Sequence, residues 1–182
     1  VTTDYLNALI LYTESDYEKA TKIYTKIISQ DSMQYDALYF RAQSHYYAEK
    51  YDLAILDFQA SKKNFSKNPQ LYYMLGNSEY NNKDYNLALQ NYFIAIKLNP
   101  KSSQYYNEIG WTYFLLKKYK EGLVYVNRAI ELDKNNYNAL DTRGCINYKL
   151  SDFTRSIADF NAAIKLEANS YNSYYYRGLA YL

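Results

Sequence analysis

One period governs this chain. The stretches LGNSEYNNKDYNLALQNYFIAIKLNP from Leu75, IGWTYFLLKKYKEGLVYVNRAIELDK from Ile109 and RGCINYKLSDFTRSIADFNAAIKLEA from Arg143 align without a gap, each starting 34 residues after the last. The same offset recovers a column of small residues: Ala8, Ala42, Gly76, Gly110, Gly144 and Gly178. It recovers an aromatic column, Tyr17, Tyr51, Tyr85, Tyr119 and Phe153, and a second small column, Ala20, Ala54, Ala88, Gly122 and Ser156. A fixed period of this length is the mark of a stacked array. Four of the five glycines stand in the first small column. They are not turn glycines; they mark places where a neighbouring helix must come close.

Within each repeat the apolar spacing is helical. Tyr85, Leu89, Tyr92, Phe93 and Ile96 follow one another in steps that keep them on one helix face. Polar breaks fall mid-repeat at Glu14 to Asp16, Asn82 to Asp84 and Leu150 to Asp152, and between repeats at Asn99 to Ser103. Each repeat therefore reads as helix, short turn, helix. Asp16, Asp84 and Asp152 precede second helices and are placed to cap them. Such a pair cannot bury its apolar faces alone, and stacking makes the core continuous.

These residues resemble the tetratricopeptide repeat, whose unit has the same length, small residues in the same columns and aromatics between them. The resemblance covers the whole chain, as repeats 1–34, 35–68, 69–102, 103–136 and 137–170 with a partial 171–182. It implies an all-α fold: an α-α superhelix, or solenoid, of five helix-turn-helix repeats plus one extra C-terminal helix, with first helices lining a concave groove. Departures are visible. The usual proline before the next repeat appears only as Pro100; Ser32, Ser66, Lys134 and Ala168 replace it. The second repeat lacks the pair seen as Ile96 and Leu98, so its second helix is expected to be shorter or more exposed. The chain begins at Val1 and ends abruptly, and reads as an excerpt of a longer protein.

Reactive groups do not converge. His45 is the sole histidine and stands at a packing place, so it reads as a half-buried core imidazole. It lies about three repeats from the sole cysteine, Cys145, so the two form no nucleophile–base pair. One histidine and one cysteine give no zinc spacing, and isolated helical glycines give no phosphate loop. No cofactor is expected, and the chain is not expected to be an enzyme. Acidic residues read as a solvated face, single or near lysines at helical spacing. With a net charge of +2 and no basic stripe, nucleic acid is not an expected partner. No apolar run reaches the length of a membrane span.

The resemblance places ligands on the inner faces of the first helices. The groove residues it selects are Tyr39, Gln43, Tyr73, Asn77, Asn107, Trp111, Asp141 and Tyr148. They are aromatics and amides, with little positive charge. Amides pair with an extended peptide backbone, and Tyr and Trp supply contact area at low entropic cost. Trp111, the only tryptophan, is the expected anchor. Tetratricopeptide repeats that bind acidic chaperone tails hold two carboxylates with a set of lysines, arginine and asparagines. Here Tyr73, Asn77, Glu108, Asn138 and Thr142 occupy those places, and only Asn77 fits. The expected role is thus a non-catalytic interaction scaffold for a peptide or partner protein. The alternatives are a substrate-presenting module of a larger enzyme, such as a glycosyltransferase, and a self-assembly module. For the last ten residues, SYYYRGLAYL, the register predicts a first helix with Tyr174 packed towards the fifth repeat. Tyr175 and Tyr176 are predicted at the groove or its rim, with an uncapped apolar face open to self-association.

Overall fold

The computed structural model describes residues 3–31, 34–168 and 170–182; Ser32, read above as a proline replacement, lies outside them. Among the described residues there are eleven α-helices and no strand. First helices are α1 (Thr3–Thr13), α3 (Tyr35–Tyr47), α5 (Pro69–Asn81), α7 (Ser103–Leu115), α9 (Tyr137–Lys149) and α11 (Tyr171–Ala180). Second helices are α2 (Tyr17–Gln30), α4 (Tyr51–Phe65), α6 (Tyr85–Leu98), α8 (Tyr119–Leu132) and α10 (Phe153–Leu166). The helices fall into two halves, Val1–Leu98 and Asn99–Leu182. In each half every helix packs on the next in sequence, and the first helices also touch one another: α3 meets α1 and α5, and α9 meets α7 and α11. First helices thus form a layer of their own within each half.

The small columns and a buried side chain at the twenty-fourth place hold each pair together. Tyr24, Phe58, Tyr92, Val126 and Phe160 occupy that place, all fully buried. A methyl group built on Gly76 would sit 2.6 Å from the Tyr92 ring, and one on Gly144 would sit 2.7 Å from the Phe160 ring. In the fourth repeat the packing partner is Val126, and the second small column holds Gly122. There the Gly110 carbonyl oxygen lies 3.1 Å from where a Gly122 Cβ would be. Ser156, in the same column, donates its hydroxyl to the Gly144 carbonyl at 2.9 Å. The aromatics at this place also reach the following first helix: Phe40 stacks on Tyr24, and Tyr176 on Phe160, each at 6.3 Å between ring centres.

A polar clasp runs beside this packing. Arg41 donates two hydrogen bonds to Asp57, both 2.7 Å, and a third to Thr25 of the preceding second helix at 3.1 Å. Arg143 repeats the arrangement with Asp159, at 3.0 and 2.6 Å, and with Asn127 at 3.1 Å. These charged, two-pronged bonds are oriented and largely withdrawn from water. Asp57 and Asp159 are therefore buried clasps, a correction to the solvated acidic face read from sequence, which tested only spacings within one helix. Beside them, His45 is a core imidazole as expected but is buried rather than half-buried, its Nε2 3.8 Å from an Asp57 oxygen and its Nδ1 without a hydrogen-bond partner among the described residues, and burial holds its pKa below the usual value.

Every turn within a repeat is built alike. Ser15, Glu49, Lys83, Lys117 and Ser151 are left-handed, with φ between 58° and 66°. Around Lys83, its own N–H reaches the Tyr80 carbonyl at 2.9 Å and the Asp84 N–H reaches Glu79 at 2.8 Å, which is the Schellman stop of a helix. Two of the following helices start on a side-chain cap, Asp16 accepting from the Lys19 N–H and Asp152 from that of Arg155, whereas Lys50 and Lys118 at the same place make no side-chain cap. Asp84 accepts from the Asn82 side-chain amide.

Two expectations are corrected. The second helix of the second repeat is not shorter: α4 has 15 residues against 14 in α2, α6, α8 and α10. Phe65 extends it by stacking on Tyr39 at 4.7 Å. Leu53 and Leu56 on its outer face are nevertheless exposed, as the sequence suggested. In α11, Tyr174 is 46% exposed rather than packed, and Tyr176 is the residue that packs, against Phe160 and Tyr148. The equivalents Leu38, Tyr72 and Leu140 of Tyr174 lie in helices that each pack on two second helices, whereas among the described residues α11 packs on one second helix, α10, besides the first helix α9. Tyr175 is exposed, and Gly178 has nothing within 4 Å of a built Cβ.

That contrast yields a paired test. Gly144→Ala must displace a buried ring, and overpacking costs about 1–3 kcal/mol. Gly178→Ala meets open space and gains helix propensity of up to about 1 kcal/mol. Urea unfolding should show the first variant destabilised and the second unchanged or stabilised. Equal effects would show that the column is not set by close packing.

Candidate functional site

The eight groove residues divide by depth. Tyr39 and Tyr73, at the fifth place of their repeats, are each only 7% exposed. Their rings turn down onto the twenty-fourth-place aromatics of the same repeats, Tyr39 at 6.0 Å from Phe58 and Tyr73 at 6.2 Å from Tyr92. They are part of the core and offer little surface. Gln43 and Asn77 are partly exposed, and each is oriented by an internal hydroxyl: Tyr12 donates to Gln43 Oε1 at 2.9 Å, and Tyr92 to Asn77 Oδ1 at 2.7 Å. With the carbonyl oxygen held by that bond, the orientation of each amide, and so of its NH2 donor, is set from within the fold.

In the C-terminal half, Asn107, Trp111 and Asp141 come together. They line a cavity of about 250 Å³ with Glu108, Asn138, Thr142 and Asn172. Every lining residue comes from a first helix: α7, α9 or α11. Thr142 donates to Asn107 Oδ1 at 2.9 Å, which fixes the floor. Ser173 at the start of α11 donates to Asp141 Oδ1, tying that carboxylate to the wall. Trp111 stacks on Phe114 with ring centres 4.9 Å apart and planes 18° from parallel, so its indole is braced from one side. Tyr148 is not among the lining residues; its ring packs edge-on against Tyr176, with Lys149 above it at 5.5 Å.

The electrostatics of this cavity are one-sided. Burial pushes the Glu108 carboxyl up to about 7, against a smaller opposing effect of its hydrogen bond with Asn107. Burial also raises Asp141, opposed by the bond from Ser173. Among the described residues neither carboxylate has an ion pair. Burial pushes the Cys145 thiol up as well, so the one cysteine is an inert packing residue. Among the described residues no group of metal-ligating side chains gathers, and no helix is long and apolar enough to cross a membrane.

Sequence reasoning named Asn107, Trp111 and Asp141 and passed over Asn172 and the depth of Glu108. Asn172 was within reach: it stands at the second place of the partial repeat, where Asn138 stands in the repeat before. The burial of Glu108 has no local signature in the sequence.

The tetratricopeptide repeat family profile matches residues 5–69 and 73–137, which is most of the chain. The chain belongs to the tetratricopeptide repeat family. No match was found among curated protein sequences. Solved tetratricopeptide structures share its fold. YrrB, described as a protein with an unusual peptide-binding site, is 20% identical with a TM-score of 0.82, over 96% of this chain and 90% of that one. MamA from Desulfovibrio magneticus is 18% identical with a TM-score of 0.83, over 92% and 95%. The tetratricopeptide domain of Arabidopsis OM64 is 26% identical with a TM-score of 0.60, over 62% of this chain and 93% of that domain. In this tetratricopeptide chain, the family's small columns are the packing described above, and its first-helix faces carry the cavity.

The Glu108 carboxyl gives a pH test. Its folded pKa, about 7, lies above the ordinary value of 4.5, so the folded state holds the proton more tightly. Burying Glu108 therefore costs nothing below pH 4.5, and the cost grows to a plateau above pH 7. Glu108→Gln removes it. The variant should match the parent in urea unfolding at pH 4.5 and exceed it at pH 8 by up to about 3 kcal/mol. Equal stability at both pH values would show an exposed, ordinary carboxylate.

Proposed function

We propose that this chain is a non-catalytic scaffold that binds an extended peptide, or an extended segment of a partner protein, along the inner faces of its first helices. The observation that carries this reading is the first-helix cavity, where one braced indole stands among asparagines and carboxyls drawn from α7, α9 and α11. A rigid aromatic beside oriented polar groups is the arrangement from which binding hot spots are made. In the N-terminal half, Gln43 and Asn77 present amide donors whose orientation is already fixed. Donors held in place lose little entropy on binding and suit backbone carbonyls, which every peptide carries. The description of YrrB as a peptide-binding tetratricopeptide protein is consistent with this use of the fold.

Selection of a random peptide library on the immobilised chain, followed by calorimetry, tests the proposal. Selected peptides should bind the parent and lose about tenfold or more with Trp111→Ala, the loss of a typical aromatic anchor. Because Trp111 also packs on the core, Asn138→Lys, a change at an exposed lining residue, serves as a second variant and should weaken the same peptides. Peptides that bind both variants as tightly as the parent would place the binding surface elsewhere.

A further inference from the structure

We infer that the first-helix cavity of the C-terminal half selects a cationic side chain, an arginine or lysine, of the peptide that the groove takes; this rests on the reading of the groove as a peptide site. Three observations lead there. The cavity is lined by Asn138, Asn172 and Trp111 and by Asn107 and Thr142, whose side chains already bond to each other. That internal bond leaves Glu108 and Asp141 as the groups with charge to offer a ligand. Glu108 is largely withdrawn from water and has no cationic partner among the described residues, and Asp141 is oriented by Ser173 but carries no ion pair either. Two carboxyls line one small cavity from adjacent helices without a counter-ion among the described residues, and burial disfavours the charged form of each.

A guanidinium or ammonium group corrects that arrangement. It donates several hydrogen bonds, satisfies both carboxylates, and sits beside an indole whose π-face attracts cations. The asparagine walls supply carbonyl oxygens for the remaining donors. Of the cations of α9, Arg143 is committed to Asp159 and Asn127, and Lys149 lies two turns along the helix from Asp141 over the Tyr148 ring; neither is among the lining residues. An acidic side chain in the same place would meet two like charges, and an aliphatic one would strand them. A cavity of about 250 Å³ holds the end of one long side chain and little more. The specificity therefore resides in a single pocket along the bound segment.

Trp111 is the only tryptophan, so its fluorescence reports on this pocket alone. The probes are acetylated, amidated pentapeptides, Ala-Ala-Xaa-Ala-Ala, with Xaa as Arg, Lys, Gln, Leu or Glu, titrated into the intact chain at pH 8 and low salt. The Arg or Lys peptide should bind at least tenfold more tightly than the Gln peptide. The Glu peptide should be the weakest. The preference should fall to within about twofold in a Glu108→Gln, Asp141→Asn variant, which keeps the acceptor for Ser173 and the shape of both side chains. Equal affinity for the Arg, Lys and Gln peptides overturns the charge selection and leaves the groove reading standing. A cationic preference that survives in the double variant overturns the assignment to this pocket. Agmatine, which carries the guanidinium without a peptide backbone, separates the two sources of that chemistry. Binding of agmatine as tightly as the Arg peptide would assign the pocket to a free amine and overturn its role in peptide selection. Selected library peptides that depend on Trp111 yet carry no basic residue would separate the two proposals in the other direction.

Discussion

Everything in this chain depends on how closely a first helix approaches the second helix of its own repeat. The approach is set by the small eighth-place residue and the fully buried side chain at the twenty-fourth place that fills the space above it, as with Gly76 under Tyr92 and Gly144 under Phe160. Interiors are packed as densely as organic crystals, so a single methyl group at such a contact has nowhere to go. The fourth repeat shows the same constraint met differently. Valine takes the place of the ring, glycine the place of alanine, and the Gly110 carbonyl oxygen fills the space that remains. The packing partner also meets the next first helix, so one side chain joins two repeats. This is how local pairs become a continuous core without long-range strand pairing.

The clasps of Arg41 with Asp57 and Arg143 with Asp159 add direction to that packing. Each arginine ties its helix to two second helices, one before it and one after it. Buried ion pairs of this kind contribute little net stability over apolar packing, but breaking one partner strands a charge. They hold α3 and α9 against the second helices on either side. Arg177 makes the earlier of the two contacts, to Asn161 at 2.7 Å, and its ring partner is the exposed Tyr174. The inner layer is therefore held from behind, which frees its front for polar and aromatic groups that the core does not need.

Much of the fold was legible in the sequence because the period multiplies each weak signal. One glycine in a helix says little; a column of small residues 34 apart, Ala8 to Gly178, says that a helix comes close there. The left-handed turn residue was not legible, since Ser15, Glu49, Lys83, Lys117 and Ser151 include no glycine to mark it. The Arg–Asp clasps were missed because their partners are 16 residues apart, on different helices, as Arg41 and Asp57 are. At the candidate site, place in the repeat gave the helix on which each residue lies but not its depth. Tyr39 and Tyr73 sit at a ligand-facing place, yet a long ring there can turn down onto the aromatic of its own repeat. Trp111 is held at the surface by its stack on Phe114. The sequence placed Glu108 on the groove wall but gave no sign of the burial that raises its pKa. Depth depends on neighbours that no local pattern names.

The proposed binding face belongs to the first helices, while the second helices hold the fold. Amide chemical-shift mapping of the isotopically labelled chain with a library-selected peptide tests this division. The largest shifts should fall in α7, α9 and α11, at Glu108, Trp111, Asn138, Asp141 and Asn172, with α8 and α10 nearly unmoved. Shifts concentrated in α8 and α10 would contradict it.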